Sequence, residues 1–190
     1  MDLATFLPTI DARSVRPIRR VEYDQLVQAG VFVGERVELI YGVVVRMSPI
    51  GPAHNYSLQE LNARLVPAVR GRGVVRIQMS FAASDDSEPE PDLAIVPPGK
   101  YWQAHPSSAW LIIEVADASL KEDRQKAILY ASSDVKEYWI VNLADGEVEV
   151  YRDSKDGAFR ERTVHRRGAE LAIRELPDVR VAVDELLPPA

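Results

Sequence analysis

The chain has 190 residues, 23 Lys and Arg against 29 Asp and Glu, a formal net charge of −6, and no cysteine. That length suits one domain, and an apolar fraction of 46% is enough for a packed core. Disulfides, zinc ribbons, thiolate metal sites and cysteine nucleophiles are excluded, and 3 histidines make a multi-histidine metal centre hard to build. The acidity argues against a protein that coats nucleic acid directly, though not against one that places cations between itself and phosphate.

Residues 1–20 read as an N-terminal extension, with Pro8, Pro17 and arginines at 13, 16, 19 and 20 but no periodic pattern. The start is no secretory signal, and no apolar run approaches the roughly 20 residues that span a bilayer, so a cytoplasmic protein is expected. Residues 21–190 read as a single domain. VEYDQLVQAG (21–30) predicts a short helix ended by Gly30. RVELIYGVVVRMSP (36–49) predicts a hairpin or a bent strand pair around Tyr41-Gly42. GPAHNYSLQELNARLV (51–66) predicts a helix with Leu58, Leu61 and Leu65 on one face, which Pro67 should end or kink.

VVRIQMSF (74–81) alternates as a half-buried strand, with Val75, Ile77, Met79 and Phe81 on one side. Residues 84–91 read as a solvated acidic loop, DLAIVP (92–97) as a strand and 98–109 as a long loop. WLIIEVAD (110–117) is nearly all apolar, as a central strand covered on both faces should be. Ser119 with Glu122 forms the pattern of a capping box opening a helix at 120–132. Residues 137–143 and 147–152 predict a hairpin, and 158–187 two or three further strands. The order is that of a mixed α/β sheet with a helix on each side.

Within this order, Glu114 stands out as the one charged residue inside a strand otherwise fit for burial. An isolated buried carboxylate costs several kcal/mol, so a cation should face it. The loop 97–109 is centred on residue 103, and so is the interval from 92 to 114. A symmetric antiparallel pairing therefore sets Asp92 opposite Glu114, with Cβ atoms about 5 Å apart. Two carboxylates so placed repel each other, and a hard divalent cation relieves that repulsion.

Pro91-Asp92 followed by Ile113-Glu114-Val115 resembles the motif of the PD-(D/E)XK nuclease superfamily, although Ala116 stands where that motif has its lysine. The chain is similar in more places to a large bacterial family of restriction endonucleases with a modified motif. The shared features are E-L-x-x-G at 38–42, Met-Ser-Pro at 47–49, His54, the PD and E-V pairs, Asp123, Lys126 and Tyr130, and E-Y-W at 137–139. The resemblance spans residues 22–175. It implies a restriction-endonuclease-like mixed β-sheet flanked by helices, with an extra N-terminal hairpin and C-terminal strands. It also implies a Mg²⁺- or Mn²⁺-dependent enzyme that hydrolyses DNA. Asp92, Glu114 and the backbone carbonyl of Val115 would hold the metal. Lys126 would be the catalytic lysine, migrated to a helix, and Glu38 the upstream acid that completes the site. A homodimer would supply two active sites, one for each strand.

Blander readings stand beside these. Asp92 could cap a turn, Glu114 could be an ion pair with Lys126 or an arginine, and Lys126 could be a solvated lysine. His54 is expected to bond backbone in preference to phosphate, Asp123 to favour the helix dipole, and Tyr130, Tyr138 and Trp139 to lie in the core in preference to stacking on bases. Arginines at 70, 72, 76, 160, 162, 166 and 167, with those of the extension, are candidate phosphate contacts. Asp134 stands where the family has a glycine, so a left-handed turn is expected there. The competing functions are a catalytically inert nucleic-acid-binding or assembly module on the same fold, and a metal-dependent hydrolase of small phosphorylated molecules.

Overall fold

The structure, a computed structural model, describes Asp11 and residues 14–189. Residues 1–10, 12 and 13 of the expected extension, Arg13 among them, lie outside the described residues. The chain divides into two compact units: Met1–Met47 with Ser84–Glu88, and Ser48–Ala83 with Pro89–Ala190.

In the smaller unit, helix α1 (Arg20–Gln28) begins where the Glu22 carboxylate accepts the Arg19 N–H at 2.9 Å, and Gly30 at φ +75° turns the chain away from it. Strands β1 (Val37–Ile40) and β2 (Val43–Arg46) form the expected hairpin. Its two turn residues, Tyr41 (φ 49°) and Gly42 (φ 75°), are both left-handed, the geometry that matches strand twist in a two-residue turn. Residues 84–88 are not the solvated loop their acidity suggests. Leu39 and Glu88 exchange backbone hydrogen bonds, Gly42 N–H donates to Asp86 C=O at 2.6 Å, and Ser87 and Glu88 are buried. The hairpin needs these partners for its outer backbone groups, and charge outside a strand pattern does not reveal such pairing.

The larger unit is built on a six-stranded sheet in the order β10-β9-β8-β6-β4-β3. Its strands are β3 (Val74–Ile77), β4 (Leu93–Val96), β6 (Leu111–Ala116), β8 (Glu137–Asn142), β9 (Glu147–Lys155) and β10 (Ala158–Arg166). Strands β6 and β8 run parallel and every other neighbouring pair antiparallel. A short parallel pair, β5 (Ser108–Ala109) with β7 (Asp134–Val135), and a hairpin, β11 (Glu170–Ile173) with β12 (Leu176–Ala182), stand apart from it. Asp134 pairs with Ser108 and is not among the residues of positive φ, so the left-handed turn expected there does not form.

Two apolar clusters follow from period-2 alternation across the sheet. On one face Leu58, Leu61, Leu65 and Val69 of α2 (Pro52–Val69) meet Leu93, Ile95, Leu111, Ile113, Val115 and Trp139. On the other, Ala127 and Tyr130 of α3 (Leu120–Ser132) meet Ala94, Val96, Ile112, Ala116, Tyr138 and Ile140. Each such large side chain fully buried contributes about 1.5–3 kcal/mol. Helix α2 runs through Pro67 instead of stopping before it. Leu65 and Val69, at 0% and 1% exposure, hold its last turn against the core, which outweighs the one backbone hydrogen bond that proline removes. A last short helix, α4 (Val183–Leu186), follows β12.

The wholly buried Glu137 ties this unit together. Its carboxylate accepts hydrogen bonds from Trp139 Nε1 at 2.7 Å, Arg152 Nε at 2.8 Å and the Arg174 backbone N–H at 2.8 Å.

Two expectations fail locally. Strand β3 stops at Ile77 because Gln78 adopts φ 48°, which breaks the alternation and leaves Met79 49% exposed although Phe81 is buried. The capping box at α3 does not form either. The Ser119 hydroxyl donates to Asp123 Oδ2 at 2.6 Å, the acid one residue beyond the expected Glu122.

Candidate active site

Alternation along β6 sends Leu111, Ile113 and Val115 to the α2 face, so Ile112, Glu114 and Ala116 turn to the α3 face. On α3, Lys126 and Tyr130 are one turn apart and share a side. These two periodicities bring three polar groups into contact. Lys126 Nζ donates to Glu114 Oε1 at 3.2 Å, and Tyr130 OH donates to the same oxygen at 3.0 Å. Glu114 is 4% exposed and Tyr130 0%. The tyrosine is thus a core residue, as expected, whose hydroxyl finds its partner in the site.

The β4–β6 register has Leu93 opposite Ile113, so the next pair outward is Asp92 with Glu114, as the symmetry of the loop predicts. The ladder ends one step earlier, and the Asp92 backbone N–H donates instead to Glu114 Oε2 at 3.1 Å. The Asp92 carboxylate is held from three sides. Val115 N–H donates to Oδ2 at 2.8 Å, His54 Nε2 lies 3.0 Å from that oxygen, and Gln78 Nε2 donates to Oδ1 at 3.4 Å. His54 therefore meets a carboxylate, not the helix-start backbone groups it was expected to bond.

Asp92, Glu114, Lys126 and the Val115 backbone come together in the larger unit. Glu38 lies on β1 in the smaller unit, 6% exposed and opposite Val45. His54 and Tyr130, features shared with the family but given no role at the metal, join the cluster, and so does Gln78, which nothing in the sequence singled out.

Burial first, and then the charges of Glu114 and Asp123, push the Tyr138 phenol well above its ordinary value. Tyr138 stays neutral and donates to Asp123 C=O at 3.0 Å. A carboxylate offers about four lone-pair positions, so three donors on Asp92 leave it room for another partner. Two neighbouring carboxyl groups, oxygen donors and no thiolate suit a hard divalent cation at Asp92 and Glu114, so the residues fit such an ion.

Many arginines expected as phosphate contacts are engaged within the protein. Arg72 pairs with Asp178 at 2.7 Å, Arg166 with Glu147 at 3.2 Å and Arg160 with Asp156 at 3.1 Å. Arg76 lies over the Tyr101 ring, 5.7 Å from its centroid. Arg162 joins Arg124 and the Tyr151 hydroxyl on the buried Glu149.

The model of the family described as "Uma2: Putative restriction endonuclease" matches residues 21–184. No curated protein sequence matches the chain. Among solved structures the fold is similar to that of "a putative nuclease belonging to DUF820 from Anabaena variabilis ATCC 29413". The TM-score is 0.70 at 14% identity, over 90% of this chain and 97% of that one.

Proposed function

Since the chain belongs to the Uma2 family, described as putative restriction endonucleases, we propose that it is a metal-dependent nuclease hydrolysing phosphodiester bonds in DNA. The observation that carries this reading is the meeting of Asp92, just before β4, with Glu114 inside the neighbouring β6, with Lys126 Nζ 3.2 Å from Glu114. In this reading Asp92, Glu114 and the Val115 carbonyl hold one Mg²⁺ or Mn²⁺. When bound, such an ion polarises phosphate and lowers the pKa of a coordinated water. Lys126 stabilises the charge that builds on the phosphoryl oxygens, the role of the lysine that Ala116 replaces. Tyr130, donating to Glu114 Oε1, fixes that carboxylate's orientation. Glu38 is the upstream acid of the reading. A homodimer provides the second active site for the second strand.

The test is Mn²⁺ titration of wild type, Asp92→Ala, Glu114→Ala and Lys126→Ala, with cleavage of supercoiled plasmid followed alongside. The two carboxylate variants are expected to lose metal affinity and cleavage together. Lys126→Ala should bind Mn²⁺ at least as well as wild type, because a cation has left the site, yet cut about 10²–10³-fold more slowly. Equal Mn²⁺ affinity in wild type and both carboxylate variants would remove the site. Ala116 favours a second reading, a catalytically inert nucleic-acid-binding or assembly module, and metal binding without cutting by wild type would select it.

A further inference from the structure

Seven described glycines have positive φ, and each takes a conformation that side chains resist. Only four other described residues do so: Tyr41, Gln78, Asp153 and Asp156. Tyr41 lies in the β1–β2 hairpin turn, and aspartate tolerates the left-handed region better than most residues. Gln78 has neither explanation. It is braced from both sides, since its N–H donates to Asp92 C=O at 3.1 Å and Arg76 spans the turn to Ser80 C=O at 3.3 Å. The β3–β4 register, carried one pair further, sets Gln78 opposite Asp92, and its side-chain amide donates to Asp92 Oδ1, the oxygen that neither Val115 N–H nor His54 bonds.

Resting on the nuclease reading above, we propose that Gln78 is a positioning residue, kept in a strained backbone conformation so that its amide orients the Asp92 carboxylate for a divalent cation. With Oδ2 held by Val115 and His54 and Oδ1 met by Gln78, the carboxylate has a donor at both oxygens. The donor is neutral, so unlike a lysine or arginine it leaves the negative charge of Asp92 available to a metal. At 3.4 Å the contact is long enough to leave Oδ1 accessible to a second partner.

Two substitutions separate this role from a purely structural one. Gln78→Met keeps the length and the strain and removes the amide; Gln78→Gly removes the amide and the strain. Mn²⁺ affinity, metal-free thermal unfolding and plasmid cleavage are measured for both variants, beside wild type and Asp92→Ala. Both Gln78 variants are expected to lose about tenfold in Mn²⁺ affinity, the scale of a residue that orients a ligand. Gln78→Gly should nonetheless unfold about 2–4 °C above Gln78→Met, because only the latter keeps the strain. Affinity that falls in only one of the two variants would overturn the inference, as it would then follow backbone effects and not the amide. Wild-type affinity in both, with Asp92→Ala impaired, overturns it while leaving the nuclease reading in place. Wild-type affinity in Asp92→Ala overturns both.

Discussion

Glu114 shows how one residue can serve folding and chemistry together. A carboxylate inside β6 would be costly alone, yet Lys126, Tyr130 and the Asp92 N–H bring it three donors. Tyr130→Phe deletes one donor to a buried charge without changing shape. It should cost about 1.5–3 kcal/mol in urea unfolding, the scale of a hydrogen bond to a charged group, and a cost near zero would mean that the hydroxyl is not needed to satisfy Glu114. The pairing of Asp92 with Glu114 was legible because the connecting loop shares its centre of symmetry with the two acids. Lys126 was legible only through the resemblance to the family, since alone it reads as a solvated helix lysine. His54 and Gln78 were not, because their partner lies 38 and 14 residues away and no local pattern encodes the approach. For Gln78 the alternation of 74–81 gave a side, away from Val75 and Ile77, but no partner.

Among the elements, the β1–β2 hairpin is the clearest case of a turn that its sequence dictates. A Cβ on Gly42 would lie 2.2 Å from Pro17 Cβ and would also have to adopt φ 75°. Gly42→Ala should therefore destabilise by well over 1 kcal/mol, read as a lower thermal midpoint or as early protease cutting within 37–46. An unchanged midpoint would show that Pro17 moves aside freely. The strands at the heart of the larger unit were readable from their apolar runs, and β6 is indeed covered on both faces. The end of β3, the passage of α2 through Pro67 and the partners of residues 84–88 were decided by tertiary contacts that outweigh local preference.

The whole molecule carries a net charge of −6, and much of its arginine is spent internally. Glu149 is one of the buried anchors. Burial alone would raise its pKa, but hydrogen bonds from Arg124, Tyr151 and Arg162 outweigh that and hold it below the usual 4.5. Asp178 beside Arg72 and Glu185 beside Arg64 are lowered in the same sense. A carboxylate whose folded pKa is depressed contributes stability above its unfolded pKa and loses it as pH falls through the folded value. Denaturation midpoints should thus hold steady from pH 7 to about 5 and drop below about 4.5. Glu149→Gln should start lower at pH 7 and fall less steeply in acid. A wild-type profile that is flat down to pH 3 would refute this account.

The Glu137 carboxylate ends on the backbone of Arg174, in the tight reversal between β11 and β12. Freeing that amide means breaking into an anchor shared with Trp139 and Arg152. Its proton should therefore exchange with deuterated solvent as slowly as those of the central strands, so that a surface bend reports on the opening of the interior.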